Sequence, residues 1–105
     1  MRLNPAAGYL YFMTLGRAYF FLDDYEQAII NLREALSRNP ASLEVHVYLA
    51  AALQLGGDKD GAEWQAADVR SIKPDFTASA MLETYPMVDN EQLAKLSSTL
   101  GQIGL

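Results

Sequence analysis

The chain has 105 residues, half of them apolar, and carries a formal net charge of -5. This length supports one domain around one hydrophobic core. The acidic balance provides no cluster of Lys and Arg to neutralise phosphates or anionic lipids, so we expect neither nucleic acid nor membrane as a partner. Cysteine is absent, which excludes disulfides and thiolate zinc sites, and we expect a cytoplasmic protein without a cofactor.

The first predicted unit is a pair of helices. One begins at Asn4-Pro5, a cap followed by the proline favoured at the first helical position, and its apolar residues continue through Phe21. The second begins after Asp24, because Gln27 stands three residues later as in a capping box. Apolar residues at helical spacing follow until Pro40 ends the helix.

A second unit repeats this plan. Ser42 is the predicted N-cap of its first helix, and the turn Gly56-Gly57-Asp58 leads to a weaker helix from Lys59 to Ile72. Beyond it we expect a short half-repeat over residues 77–85. A final helix opens at Asp89, with Gln92 three residues on, and we interpret it as a capping helix for the exposed end of the stack.

The two units are similar in sequence at a shift of 34 residues, which places residues 9–42 over residues 43–76. Large residues, small residues and prolines coincide. The matched pairs are Leu15 and Leu49, Gly16 and Ala50, Tyr19 and Leu53, Asp24 and Asp58, Ala28 and Ala62, Ala35 and Val69, and Pro40 and Pro74. Close packing of two helices requires small residues where the backbones cross, and Gly16, Ala28, Ala50 and Ala62 fill that requirement.

This pattern resembles the tetratricopeptide repeat. The signature positions are the pair Leu15-Gly16, the aromatic Tyr19, the alanines Ala28 and Ala35, and Pro40. The resemblance implies an all-α, right-handed solenoid, a single domain over residues 1–105 with a half-repeat and capping helix over residues 77–105. It also implies a non-enzymatic module that binds a protein or peptide.

In the tetratricopeptide family the concave groove is lined by the first helix of each unit. The resemblance places these groove residues at Leu10, Met13, Arg17, Phe20, Phe21, Glu44, Val47, Tyr48, Ala51 and Leu55. Because this lining is mostly apolar, we expect a hydrophobic peptide or helix as the ligand, with Arg17 pairing with one acidic group. The basic clamp of chaperone-binding members is replaced by Met13, Val47 and Ala51, so a chaperone tail is not expected.

Both ends of the chain suggest a second interpretation. Residues 2–5 resemble the residues that end a repeat. We therefore expect that an earlier repeat is missing and that the first helix exposes a face for dimerisation. The segment after Pro74 is similar to the tetratricopeptide tails that follow class III adenylate cyclase or winged-helix domains in bacterial proteins. The alternative function is therefore a dimerising or regulatory C-terminal segment of a larger signalling protein.

Catalytic and metal sites are not predicted. His46 is the only histidine and has no cysteine to join it, so we expect it to pack. The acidic groups at Asp23-Asp24 and at residues 58–60 stand where helix caps are needed and lack the spacing of a calcium loop. For Trp64 the sequence leaves two roles open, either packing or a hot spot for partner binding.

Overall fold

The structure is a computed structural model, and it describes residues 5–83 and 90–105. Within those ranges the chain forms six helices and no strand, as the sequence predicts. They are α1 Pro5–Phe21, α2 Tyr25–Arg38, α3 Leu43–Leu55, α4 Lys59–Ile72, α5 Ala78–Glu83 and α6 Asn90–Gln102. The predicted roles of Asn4, Tyr85 and Asp89 lie outside the described residues, and the handedness of the stack stays a prediction.

Both units begin their second helix with the same backbone geometry. Asp24 caps α2 by accepting a hydrogen bond from the Gln27 amide at 3.2 Å, and Asp58 caps α4 by accepting one from the Gly61 amide at 2.9 Å. The φ and ψ angles of the two aspartates agree within 2°. Because the caps are 34 residues apart, the repeat seen in the sequence is also a repeat of local structure.

Helix α3 is the centre of the core. It packs between α2 and α4, and every residue from Val45 to Leu53 is buried. Ser42 caps this helix through the Val45 amide, as predicted. A helix that is apolar on all sides is stable only when neighbours cover all of it, and α3 is covered in this way.

The first hairpin of helices depends on the absence of a side chain at Gly16. A Cβ atom at this position would lie 2.5 Å from Cγ and Cδ2 of Leu32 in α2, and the Leu32 side chain is fully buried. In the second unit the equivalent residues are Ala50 and Ala66, which are also buried. The space at the helix crossing is therefore filled differently in the two units. Glycine faces leucine in the first unit, and alanine faces alanine in the second.

Two further helices follow the second unit. Helix α5 lies within the predicted half-repeat, and Phe76 and Ala78 join the core as expected of a third stacking element. Helix α6 packs on α3 and α5, and it reaches the end of α1 through Lys95. It therefore lies against the first helices of the two units. Among the helices described, none is long and apolar enough to cross a membrane.

Replacing Gly16 with alanine tests the crossing. We expect Gly16→Ala to lower the free energy of unfolding by about 1 to 3 kcal/mol, because the new methyl group overlaps the buried Leu32 side chain. Gly101→Ala is the matched control, since Gly101 lies in α6 and a Cβ atom there has no neighbour within 4 Å. Urea denaturation of both variants measures the difference. A Gly16→Ala variant as stable as the control would contradict this account of the hairpin.

Candidate functional site

The ten predicted groove residues lie on α1 and α3, and the structure leaves few of them open to solvent. Five are buried: Met13, Phe20, Val47, Tyr48 and Ala51. Four are half-buried, namely Arg17, Phe21, Glu44 and Leu55, and Leu10 is exposed. The helices are therefore placed side by side as a groove requires, but most of the apolar lining is already covered.

Two of the predicted residues bind each other across the pair of helices. Arg17 donates a hydrogen bond to the carboxylate of Glu44 at 2.8 Å, which joins α1 to α3. Both side chains are 30% exposed, so solvent screens the pair and it contributes at most about 1 kcal/mol. In this structure the acidic partner of Arg17 is thus a residue of the chain itself, and its pairing with an acidic group of a ligand stays a prediction.

Phe20 is the centre of an aromatic cluster at the end of α1. Its ring makes edge-to-face contacts with Phe21, Tyr25 and Tyr48, at centroid distances of 5.1, 6.0 and 5.8 Å. Edge-to-face pairs of this kind add to the burial of the rings and hold them in fixed orientations. The cluster links α1, α2 and α3, so these aromatic residues have a packing role.

Helix α6 crosses α1 and α3 in that order. Lys95 contacts the end of α1, and Gln102 accepts a hydrogen bond from Gln54 near the end of α3 at 3.2 Å. Seven residues of helix span about 10 Å, close to the usual separation of packed helices. The C-terminal helix therefore occupies part of the surface that the first helices of the two units present.

Lys95 lies in a site that we name the lysine cradle, formed by Phe20, Asp23 and Tyr25. Its ammonium group donates to the Phe20 carbonyl oxygen at 2.7 Å and to Asp23 Oδ1 at 2.5 Å. The same group lies 4.6 Å from the ring centroid of Phe20 and 5.0 Å from that of Tyr25. Helix α1 ends at Phe21, so the negative end of its dipole also faces the cation.

Sequence reasoning did not identify this cradle, although a signal was present. Asp23 has a φ of 64°, and the residue 34 positions later is Gly57, with a φ of 96°. A glycine is the ordinary residue for such a backbone, and aspartate adopts it less readily. The second unit has glycine at the same turn position. The aspartate in the first unit was therefore a signal that this side chain has a role besides forming the turn.

Hydrogen bonds from Lys95 and then Tyr25, together with the charge of Lys95, hold the pKa of the Asp23 carboxyl below its usual value. The carboxylate accepts both bonds through Oδ1. Asp23 is 74% exposed, so salt screens this attraction. The cradle therefore lies at the protein surface. It combines a buried aromatic wall with a charge that faces solvent.

Outside the cradle, the remaining candidate residues have structural surroundings. His46 is buried, and its ring nitrogens bond to the Pro40 carbonyl oxygen and to Gln65 Oε1 at 2.8 and 2.9 Å. Across the described part of the chain, no three His, Asp or Glu side chains assemble as a metal site. Trp64 is 75% exposed and lines a cavity of 380 Å³, so it does not belong to the core.

The lowered pKa of Asp23 predicts that the docking of α6 weakens in acid. Because this pKa is lower in the folded state, its stabilising contribution is present above the unfolded value of 3.8 and is lost as the pH falls through the folded value. Methyl NMR signals of Leu96 and Leu100 during an acid titration measure the loss. In Asp23→Asn we expect this titration step to be absent, and an unchanged step would contradict the assignment.

The comparison with protein families identifies one repeat. The family model described as tetratricopeptide repeat matches residues 9–42, which are the first unit defined above. No curated protein and no solved structure matches the chain. The match shows one tetratricopeptide repeat over residues 9–42, and repeats of this kind are typically non-catalytic modules of protein interaction.

Proposed function

We propose that the chain is a protein-interaction module that binds a peptide or helix against the first helices of its two units. The match of residues 9–42 to the tetratricopeptide repeat carries this proposal. The side-by-side placement of α1 and α3 supports it, since these are the helices that line the groove in the resemblance. We propose no catalytic activity, because such repeats typically serve binding.

The accessible part of this groove is its edge. Leu10 is 54% exposed, and the half-buried residues Arg17 and Glu44 follow along the two helices. The apolar side chain provides area to bury, and the ion pair provides polar groups that orient a ligand. A partner that approaches here meets an apolar edge next to an ion pair that it can reorganise.

Site-specific photocrosslinking tests the proposed face. The crosslinking amino acid p-benzoylphenylalanine replaces Leu10 in one variant and Ile30 of α2 in the control, because the two positions are equally exposed at 54% and 53%. We expect adducts to another protein through position 10 at least several times more abundant than through position 30. Equal yields at both positions, or none, would refute binding at this face.

A second candidate function is association of two copies through the outer face of α1, which also suits a regulatory segment of a larger signalling protein. The observation that favours it is the exposure of Tyr11, at 61%, because its equivalent in the second unit is the fully buried Val45. Ala18 is likewise exposed while its equivalent Ala52 is buried. In the second unit a neighbouring helix covers these positions, and in the first unit a second copy would cover them.

Light scattering tests this second candidate. We expect a mass of twice 11.6 kDa for the parent chain and a single chain mass for Tyr11→Lys, since a charge in the contact remains unpaired. Ile30→Lys on α2 is the control and should leave the mass unchanged. A parent chain that stays monomeric as its concentration rises would exclude dimerisation through α1.

A further inference from the structure

Helix α6 binds to the rest of the chain in the way that a helical peptide binds a groove. Its buried side chains are Leu96, Thr99 and Leu100, and Lys95 adjoins them. The opposite side, which includes Ala94, Ser97, Ser98 and Gly101, is exposed. Anchors spaced by three and four residues on one side of a helix are characteristic of helix-in-groove recognition.

The lysine cradle gives this groove a chemical preference. A backbone carbonyl oxygen, a carboxylate and two aromatic faces converge on one ammonium group. All of these groups attract a cation. None of them can donate a hydrogen bond to an acidic or neutral side chain. The side chain that fits is therefore a long flexible one with a positive charge at its tip.

The use of aspartate at position 23 points in the same direction. The equivalent turn in the second unit reaches a left-handed backbone with Gly57, so that turn does not require a carboxylate. Asp23 adopts this less favourable conformation and directs its side chain to Lys95 and Tyr25. Its carboxylate thus binds a cation in addition to standing at the turn.

The Asp23 side of the cradle is accessible to solvent while α6 is in place. Asp23 is 74% exposed, and a cavity of 280 Å³ beside it is lined by Phe21, Asp23, Glu91, Gln92 and Lys95. Two of these residues are acidic, and the whole chain carries a net charge of -5. A basic ligand is therefore attracted to this end of the groove before α6 leaves it.

We propose that α6 is the chain's own occupant of the groove, and that the partner is a basic amphipathic helix with a lysine followed directly by leucine, which displaces α6 from the lysine cradle. The proposal of a partner helix rests on the proposed interaction function. The two helices compete because both offer the same anchors to the same site. Binding of the partner then releases the C-terminal helix.

A labelled synthetic peptide of residues 90–105 tests this competition against the full-length chain by fluorescence anisotropy. We expect weak binding to the parent chain, because α6 holds the site. In Lys95→Met the internal helix is weakened while the cradle remains, and the peptide should bind about tenfold more tightly. Lys73→Met is the control, since the Lys73 side chain is exposed and pairs with the exposed Asp75 at 3.6 Å.

A second peptide that carries methionine at position 95 provides the specificity measurement. The Lys95→Met chain should prefer the lysine peptide about tenfold over this methionine peptide. Asp23→Asn, which changes an exposed side chain and leaves the core intact, should remove that preference. Equal binding of the two peptides to the Lys95→Met chain would overturn the cradle. If Lys95→Met fails to fold, the parent chain and Asp23→Asn give the same comparison of the two peptides.

The peptide experiment and the photocrosslinking experiment fail independently. Peptides that discriminate at position 95, without any adduct through Leu10, would retain the cradle and refute binding of a partner at the groove edge. Adducts through Leu10, without discrimination between the peptides, would retain the interaction function and refute displacement of α6.

Discussion

The close approach of α1 to α2 at Gly16 is the contact on which the rest of the structure depends. With no side chain at this position, Leu32 fills the crossing and the two backbones remain close. That approach fixes the angle at which the hairpin presents α1 to α3. The aromatic cluster around Phe20, and with it the wall of the lysine cradle, joins this helix to α2 and α3.

The surface formed by α1 and α3, which we propose as the groove, is partly covered by α6. Its leucines supply apolar area that would otherwise face water, while Lys95 and Gln102 fix the crossing at two points. The interactions are of different kinds. Apolar burial supplies most of the stability and has little selectivity, whereas the cradle selects for a cation at one position. A competitor therefore needs both a suitable apolar stripe and a correctly placed charge.

Much of the fold follows from the sequence because local signals and the repeat agree. The caps at Asp24, Ser42 and Asp58, the small residues at the helix crossings, and the helix ends before Pro40 and Pro74 are all encoded by residues close in sequence. The signature aromatic Tyr19 packs against the core, as does Phe12. Signals of this kind require no knowledge of distant partners.

The candidate site could be predicted only in outline. The sequence placed the groove residues on α1 and α3, but it did not indicate that Arg17 binds Glu44 or that Lys95 reaches Phe20 and Asp23. These contacts join residues far apart in the chain, and no periodicity encodes them.

The left-handed turn positions Asp23 and Gly57 have a similar backbone conformation but different side-chain chemistry. Both continue the chain through a corner with a positive φ, and Gly57 does so without a side chain. A position of this kind can gain or lose a charge while the stack above and below it keeps its geometry. Arrays built from such units can therefore diversify what they recognise by changing corner residues one at a time, with the core of each hairpin left as it was.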